Sequence, residues 1–175
     1  MSVLSTVFLP RAWLSAFITP ILKKGDPASP SNYRPISLTC VLCKVMETVI
    51  KNELLRYLAQ RNLISRQQHA FLLRRSTVTN LLDSTLDWAV MLDVGTPVDV
   101  VYIDFAQAFD SVVHRKLLTK LSAYGIYGIL LLWISAFRYS RLQCVVVENT
   151  RSQWCSVISG VPQGSVLGPV LFLIF

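Results

Sequence analysis

The chain has 175 residues, 53% of them hydrophobic, and a formal net charge of +7. That length suits one domain, or part of a larger one, with a real buried core. No apolar run reaches the roughly 18 residues of a membrane span, and the N-terminal "MSVLSTVFLPRAWLSAF" lacks the basic start of a secretory signal, so the expectation is an intracellular protein with no membrane partner.

The charge is unevenly spread. Residues 1–82 hold eleven Lys/Arg against three Asp/Glu, whereas 83–175 hold six against seven. A basic first half suits a polyanion such as nucleic acid, although a solvated basic face gives the same count. Cys40 and Cys43 form a C-x-x-C without a second close pair or a nearby His. Core thiols in a reducing compartment are expected there rather than a zinc site.

In chain order, "GDPASPSNYRP" (25–35) reads as a Pro/Ser/Asn-rich loop ending in an extended step before proline. A helix is expected from Ser37, as N-cap, to about Gln60, with Leu38, Val41, Leu42, Val45, Met46, Val49, Ile50 and Leu54 as its apolar stripe. A second helix should run from about Thr77 to Leu92, burying Leu81, Leu82, Leu86 and Ala89 and stopped by Gly95 and Pro97. "VDVVYIDF" (98–105) has the β-branched, almost continuous apolar character of a strand buried on both faces. Helices are expected over 114–123, ended by Gly125, and over 126–139. "RLQCVVVE" and "QWCSVISG" read as a β-hairpin, and "VPQGSVLGPVLFLIF" as a Gly/Pro turn opening a last helix. The pattern is α+β with an antiparallel sheet.

Three stretches carry candidate chemistry. Asp104 ends the expected strand; a buried carboxylate there would need a cation or metal, whereas an ordinary strand-end acid would cap the next turn. Asp110 reads as the cap of the helix starting near Ser111. In "SGVPQGSVLGP" (159–169) the glycines and prolines let backbone or ligand approach closely, and Gln163 would project from a tight turn; a plain turn is the alternative. Lys23, Lys24 and Arg34 flank a loop leading to a helix start, which together make an anion site or merely a solvated basic loop.

Together these stretches resemble the reverse transcriptase domain of non-LTR (LINE-type) retrotransposons: "ITPILKKGD", "NYRPISL" followed by Lys44 and Glu47, "QHAFLLRRSTVTNLL", "VYIDFAQAFDSVVHRKLL" and "SGVPQGSVLGPVLF", in family order and spacing. The resemblance implies a right-hand polymerase fold, with fingers over 1–97 and a partial palm over 98–175 that includes the 141–160 hairpin. It implies RNA-directed DNA synthesis from deoxynucleoside triphosphates on an RNA template and DNA primer, using two Mg²⁺ (or Mn²⁺) ions about 3.5–4 Å apart. Asp104 matches the first metal-binding aspartate, with the Phe105 carbonyl as auxiliary ligand. Phe109 matches the bulky residue that excludes a 2′-hydroxyl. Gln163 and Gly164 match the turn at the incoming nucleotide. Arg34, with Lys23 and Lys24, matches the fingers residues near triphosphate or template, and Arg74 and Arg75 fall in a nucleic-acid-binding element.

Departures from the family pattern are Ala70 for a usual Gly, Arg74 where Gly or Lys is common, and Gln107 for a frequent Lys. The family's Ala-Asp-Asp hairpin has no counterpart here, so the expectation is a chain truncated before it, without the C-terminal palm and thumb, and inactive alone. The alternative is a non-catalytic RNA- or DNA-binding remnant.

Overall fold

Residues 15–38 fold as a hairpin whose prolines fix its register. Its strands, β1 (Ser15–Leu22) and β2 (Tyr33–Leu38), pair antiparallel with Pro20 opposite Pro35. Neither proline has an N–H, so they face each other only at a non-hydrogen-bonded pair. The computed structural model describes residues 8–175. The chain divides into two compact units, one formed by the chain up to Asn52 with Gln107–Phe175, the other by Glu53–Ala106.

In the first unit β1 is joined by β3 (Leu142–Val147), with β4 (Thr150–Arg151) and β5 (Cys155–Ser156) folding back on β3. The expected 141–160 hairpin is present in these three strands. The sheet, however, is mixed: β1 and β3 run parallel, the other ladders antiparallel. β3 stops pairing with β1 at Ile18, so Pro20 lies beyond that ladder, where its missing N–H is not needed.

The helix expected from Ser37 begins later, as α1 (Val41–Gln60), with the Cys40 carbonyl accepting from the Lys44 N–H. Ser37 belongs to β2 instead. Pro35 holds the residue before it extended, the Ser37 N–H donates to the Gln163 carbonyl at 2.7 Å, and the helix starts too late for Ser37 to cap it. The apolar stripe of α1 is also turned. Of that stripe Ile50 and Leu54 are buried as expected, but Val41, Leu42, Val45 and Val49 are exposed, and Cys43 and Glu47 are buried instead. Glu47 faces inward because its carboxylate finds hydrogen-bond donors there.

Three further helices supply the core: α3 (His114–Ala123), α4 (Gly128–Arg138) and α5 (Gly168–Ile174). Leu117 and Leu121, Trp133, Ile134 and Phe137, and Val170, Leu171 and Ile174 are all buried. α3 ends as the sequence predicts. Gly125 donates to the Ser122 carbonyl and Ile126 to the Leu121 carbonyl, the two bonds of a Schellman cap closed by the buried Leu121 and Ile126. Asp110 does not cap this helix: the N-cap is Val113, without a side-chain bond. Of the cysteines, Cys43 and Cys144 are buried, Cys40 is half-buried and Cys155 is exposed.

The second unit contains the end of α1 and α2 (Thr77–Asp93). Ser76 caps α2 in a reciprocal box with Thr79, and Gly95 and Thr96 close it on the Leu92 and Met91 carbonyls. Its predicted buried stripe is not buried: Leu81, Leu82, Leu86 and Ala89 are exposed and no residue of the helix is buried. Local caps rather than packing define this helix. The expected strand at 98–105 does not form either. Residues 96–105 have no regular structure, and Val101, Tyr102, Ile103 and Phe105 are 73–85% exposed. β-propensity measures fit to a pleated neighbour, and this run pairs with no strand among the described residues. No helix among the described residues is long and apolar enough to cross a membrane.

Arg74, exposed, has φ +60°, in the left-handed region. That conformation costs a non-glycine residue about 1–2 kcal/mol, and glycine gives back part of this through its freer unfolded chain. Arg74→Gly is therefore expected to raise stability by about 0.5–1 kcal/mol. Urea denaturation checks this, and a midpoint equal to or below that of the parent protein refutes it.

Candidate functional site

The site is built by main-chain contact between two segments of the first unit. Residues 107–111 form a turn before α3 in which Asp110 and Ser111 donate to the Gln107 carbonyl. The later segment lies against it: Val161 N–H donates to the Phe109 carbonyl at 2.7 Å and Gly160 N–H to the Val112 carbonyl at 2.9 Å. A Cβ at Gly160 would stand 2.8 Å from the Asp110 Cα, and φ there is +84°. A Cβ at Gly164, φ +111°, would stand 2.7 Å from the Ser37 carbonyl oxygen. Both positions need glycine because backbone approaches where a side chain would be. The Phe109 ring, half-buried, stacks on Phe172 of α5 with centroids 4.9 Å apart.

Beside this contact lies a cavity of about 360 Å³, lined by Ser37, Asp110, Arg141, Gln143, Pro162 and Gln163 among others. Its size falls at the lower end of small-molecule sites. Asp110, read from sequence as a helix cap, thus borders the same space as Gln163. On the β1–β2 hairpin Arg34 is exposed opposite Ile21, and exposed Lys23 and Lys24 follow β1, with Lys23 N–H donating to the Asn32 carbonyl. Strand β2 therefore carries Arg34 on the segment that bonds Gln163 through Ser37.

Other site candidates lie in the second unit. Asp104 and Phe105 are exposed within the irregular run, so the burial expected of Asp104 is absent; without a partner strand nothing covers it. Arg74 is exposed. Arg75 instead donates to the Arg66 carbonyl at 2.5 Å and lies 3.2 Å from His69 Nε2. Two divalent ions need several anionic oxygens. Among the described residues no group of three His, Cys, Asp or Glu side chains gathers, so this donor set does not fit a metal pair.

Sequence reading missed the polar residues that hold the site. Buried Glu47 accepts from the Val166 and Leu167 N–H groups through Oε2, at 2.8 and 2.9 Å, and from the Cys43 thiol through Oε1 at 3.6 Å. Burial first, then Glu47, pushes the Cys43 thiol up to about 12. Buried Arg141 donates to the Trp13 and Phe137 carbonyls and lies over the Phe137 ring. Burial pulls its pKa down, with Cys43 and Glu47 acting in the opposite sense. His114, the first residue of α3, has Nε2 2.9 Å from the Gly160 carbonyl oxygen and 2.6 Å from Arg138 Nη2. Burial, and next the neighbouring Arg141, lower Arg138 to about 9, so it is still protonated at neutral pH. The signal for these residues was an ionic side chain inside or ending an apolar helix, as Glu47 and Arg138 are.

A mixed α/β frame carrying a glycine turn against an aromatic-bearing segment, with a basic hairpin beside it, is compatible with a reverse transcriptase domain. Residues 21–175 match the reverse transcriptase (RNA-dependent DNA polymerase) family, and the chain belongs to it. This is the family read from the motifs. The chain is 35% identical to the probable RNA-directed DNA polymerase from transposon BS and 36% identical to the RNA-directed DNA polymerase from mobile element jockey, both of Drosophila melanogaster. Each alignment covers 99% of this chain and 19% of the relative. The probable RNA-directed DNA polymerase from transposon X-element of the same species is 28% identical over 96% of this chain and 18% of its own length. The chain thus spans about a fifth of the curated relatives it matches.

His114 sets a pH dependence. Burial, then Arg138, lowers its pKa, against a smaller upward pull from the Gly160 carbonyl. The folded protein keeps the ring neutral while the unfolded chain takes a proton at about 6.5. The unfolded state therefore binds more protons as pH falls through that value, and stability is lost below it. Urea unfolding at pH 7.5 and 5.5 should show a steeper loss in the parent protein than in His114→Asn, and equal losses would remove His114 as the cause.

Proposed function

We propose that this chain is the nucleotide- and template-handling part of an RNA-directed DNA polymerase, with a deoxynucleoside triphosphate, an RNA template and a DNA primer as its ligands. One observation supports the reading above the rest: the Gln163 turn bonds both the Phe109 segment and strand β2, which carries Arg34. Three residues from distant parts of the sequence, each matching a family position for nucleotide contact, lie on segments that hydrogen-bond directly. In this reading the first unit carries palm elements beside the fingers hairpin, Gln163 and Gly164 face the incoming nucleotide, and Arg34, Lys23 and Lys24 meet triphosphate or template phosphates. Phe109 lies under the sugar. Arg74 and Arg75 keep the nucleic-acid role that the motif match gives them, and Asp104 with the Phe105 carbonyl matches ligands of a metal site that the described residues do not complete. Mg²⁺ or Mn²⁺ would supply the charge that drives nucleotidyl transfer; no transfer step is derived from the residues present. Binding of RNA or DNA without turnover is the rival outcome of the tests.

The first test is electrostatic. Each phosphate neutralised on a single strand contributes about −0.7 to the slope of log affinity against log salt. Changing Arg34, Lys23 and Lys24 together to Ala should flatten the RNA-binding slope by about one to three such increments. An unchanged slope places all three outside the interface.

The second concerns sugar choice. If the Phe109 ring excludes a 2′-hydroxyl by volume, Phe109→Val should bring the affinities for UTP and dUTP together, read by competition titration. A ratio unchanged from the parent protein would move the gate elsewhere.

A further inference from the structure

We propose that Glu47 is the positioning residue for the Gln163 turn, setting the place of the nucleotide-facing amide from the opposite side of the loop. The inference rests on the reading of Gln163 as nucleotide-facing. Glu47 is fully buried, yet no Lys or Arg side chain hydrogen-bonds it among the described residues. Its partners are instead the two consecutive backbone N–H groups of Val166 and Leu167, which leave the turn and enter α5. Hydrogen bonds from backbone N–H to a carboxylate are short and among the stronger kinds.

The turn is thus held at both ends. Upstream, Gly160 and Val161 are bonded to Val112 and Phe109. Downstream, Val166 and Leu167 are bonded to Glu47. Between these anchors Gln163 is left with its carbonyl on Ser37, and Gly164 sits against the Ser37 carbonyl with no room for a Cβ. The geometry also explains the inward turn of α1: a carboxylate on the buried face spends both its oxygens on fixed donors. Cys43, one turn earlier, occupies the other oxygen with its thiol proton.

The test compares Glu47→Leu and Glu47→Gln, with exposed Glu53→Gln as a control on the same helix. Gln can present one oxygen to both N–H groups, so it keeps the anchor and loses only the charge. In Glu47→Leu the Val166 and Leu167 amides should exchange with deuterium about tenfold faster or more, as unpaired donors do. Amides of α3 and α4 should keep their rates. Affinity for dTTP with Mg²⁺ should fall about fivefold or more in the Leu variant, and Gln should restore both readouts to near the parent values. Parent-like exchange at Val166 and Leu167 in Glu47→Leu, an equal rise across α3 and α4, or a Gln variant as impaired as Leu each overturns the proposal. Should Glu47→Leu fail to fold, the Gln variant decides alone: its Val166 and Leu167 amide protons should move upfield as the acceptor loses its charge, and unmoved resonances overturn the anchor. Absence of dTTP binding by the parent protein would sink the nucleotide reading and the positioning role with it. Binding by the parent with an unchanged Leu variant sinks only the role of Glu47.

Discussion

No side chain fits at residue 160, and much of the first unit follows from that. The chain there meets the backbone of Phe109 and Asp110, not side chains, so an added methyl group finds nothing that can swing away. Only with that approach made can Val161 reach the Phe109 carbonyl and Gly160 the Val112 carbonyl. Those two bonds fix the start of α3 relative to the turn. They also set Phe109 where its ring meets Phe172, which ties α5 to the same point. Ser37 adds strand β2 through the Gln163 carbonyl. The contact at this glycine thereby brings together α3, α5 and β2.

The polar residues around this junction are expensive. Moving an ion out of water costs several kcal/mol even after relaxation, and Glu47, Arg138 and Arg141 are all essentially fully buried. Apolar side chains of similar volume would fill the space at least as well. They could not, however, answer the N–H groups of Val166 and Leu167 or the carbonyls of Trp13 and Phe137. Glu47 and Arg141 grip main chain, whereas Arg138 meets the His114 ring, and main-chain contacts specify position where apolar ones specify only volume. The arrangement specifies where the turn lies more than it adds stability.

What could be read from the sequence divides along the same line. Signals that act within one turn of chain were legible: the Gly125 and Gly95 stops, the 141–160 hairpin, and helices α2 to α5. The pairing of Gly160 with the segment after Asp104 was implied by glycine content alone, without its partner. β1 and β2 escaped notice because Pro20 and Pro35 speak against strands unless they face each other, which only the register reveals. The stripe of α1 was read correctly only at Ile50 and Leu54, because periodicity counts apolar residues and passes over a buried carboxylate such as Glu47. Apolar spacing on α2 was real, but spacing gives no partner to bury against. The family motifs gave roles to Gln163, Gly164, Phe109 and Arg34, and included Glu47 and His114 without giving them one.

The contrast between Gln163 and Asp104 carries the last step. Gln163 lies in a turn fixed by backbone bonds on both sides and needs nothing more to hold its place. Asp104 lies in a run with strand-like composition, no ladder, and Tyr102, Ile103 and Phe105 open to water. An unpaired extended segment has neither main-chain bonds nor packing to set one conformation, and each ordered residue costs about 1–2 kcal/mol of backbone entropy. The carboxylate of Asp104 therefore cannot be held in one place by its own segment. Its position has to come from pairing that residues 98–105 do not make with any described strand. The Gln163 turn is thus pre-organised by its own backbone, and the segment carrying Asp104 is not.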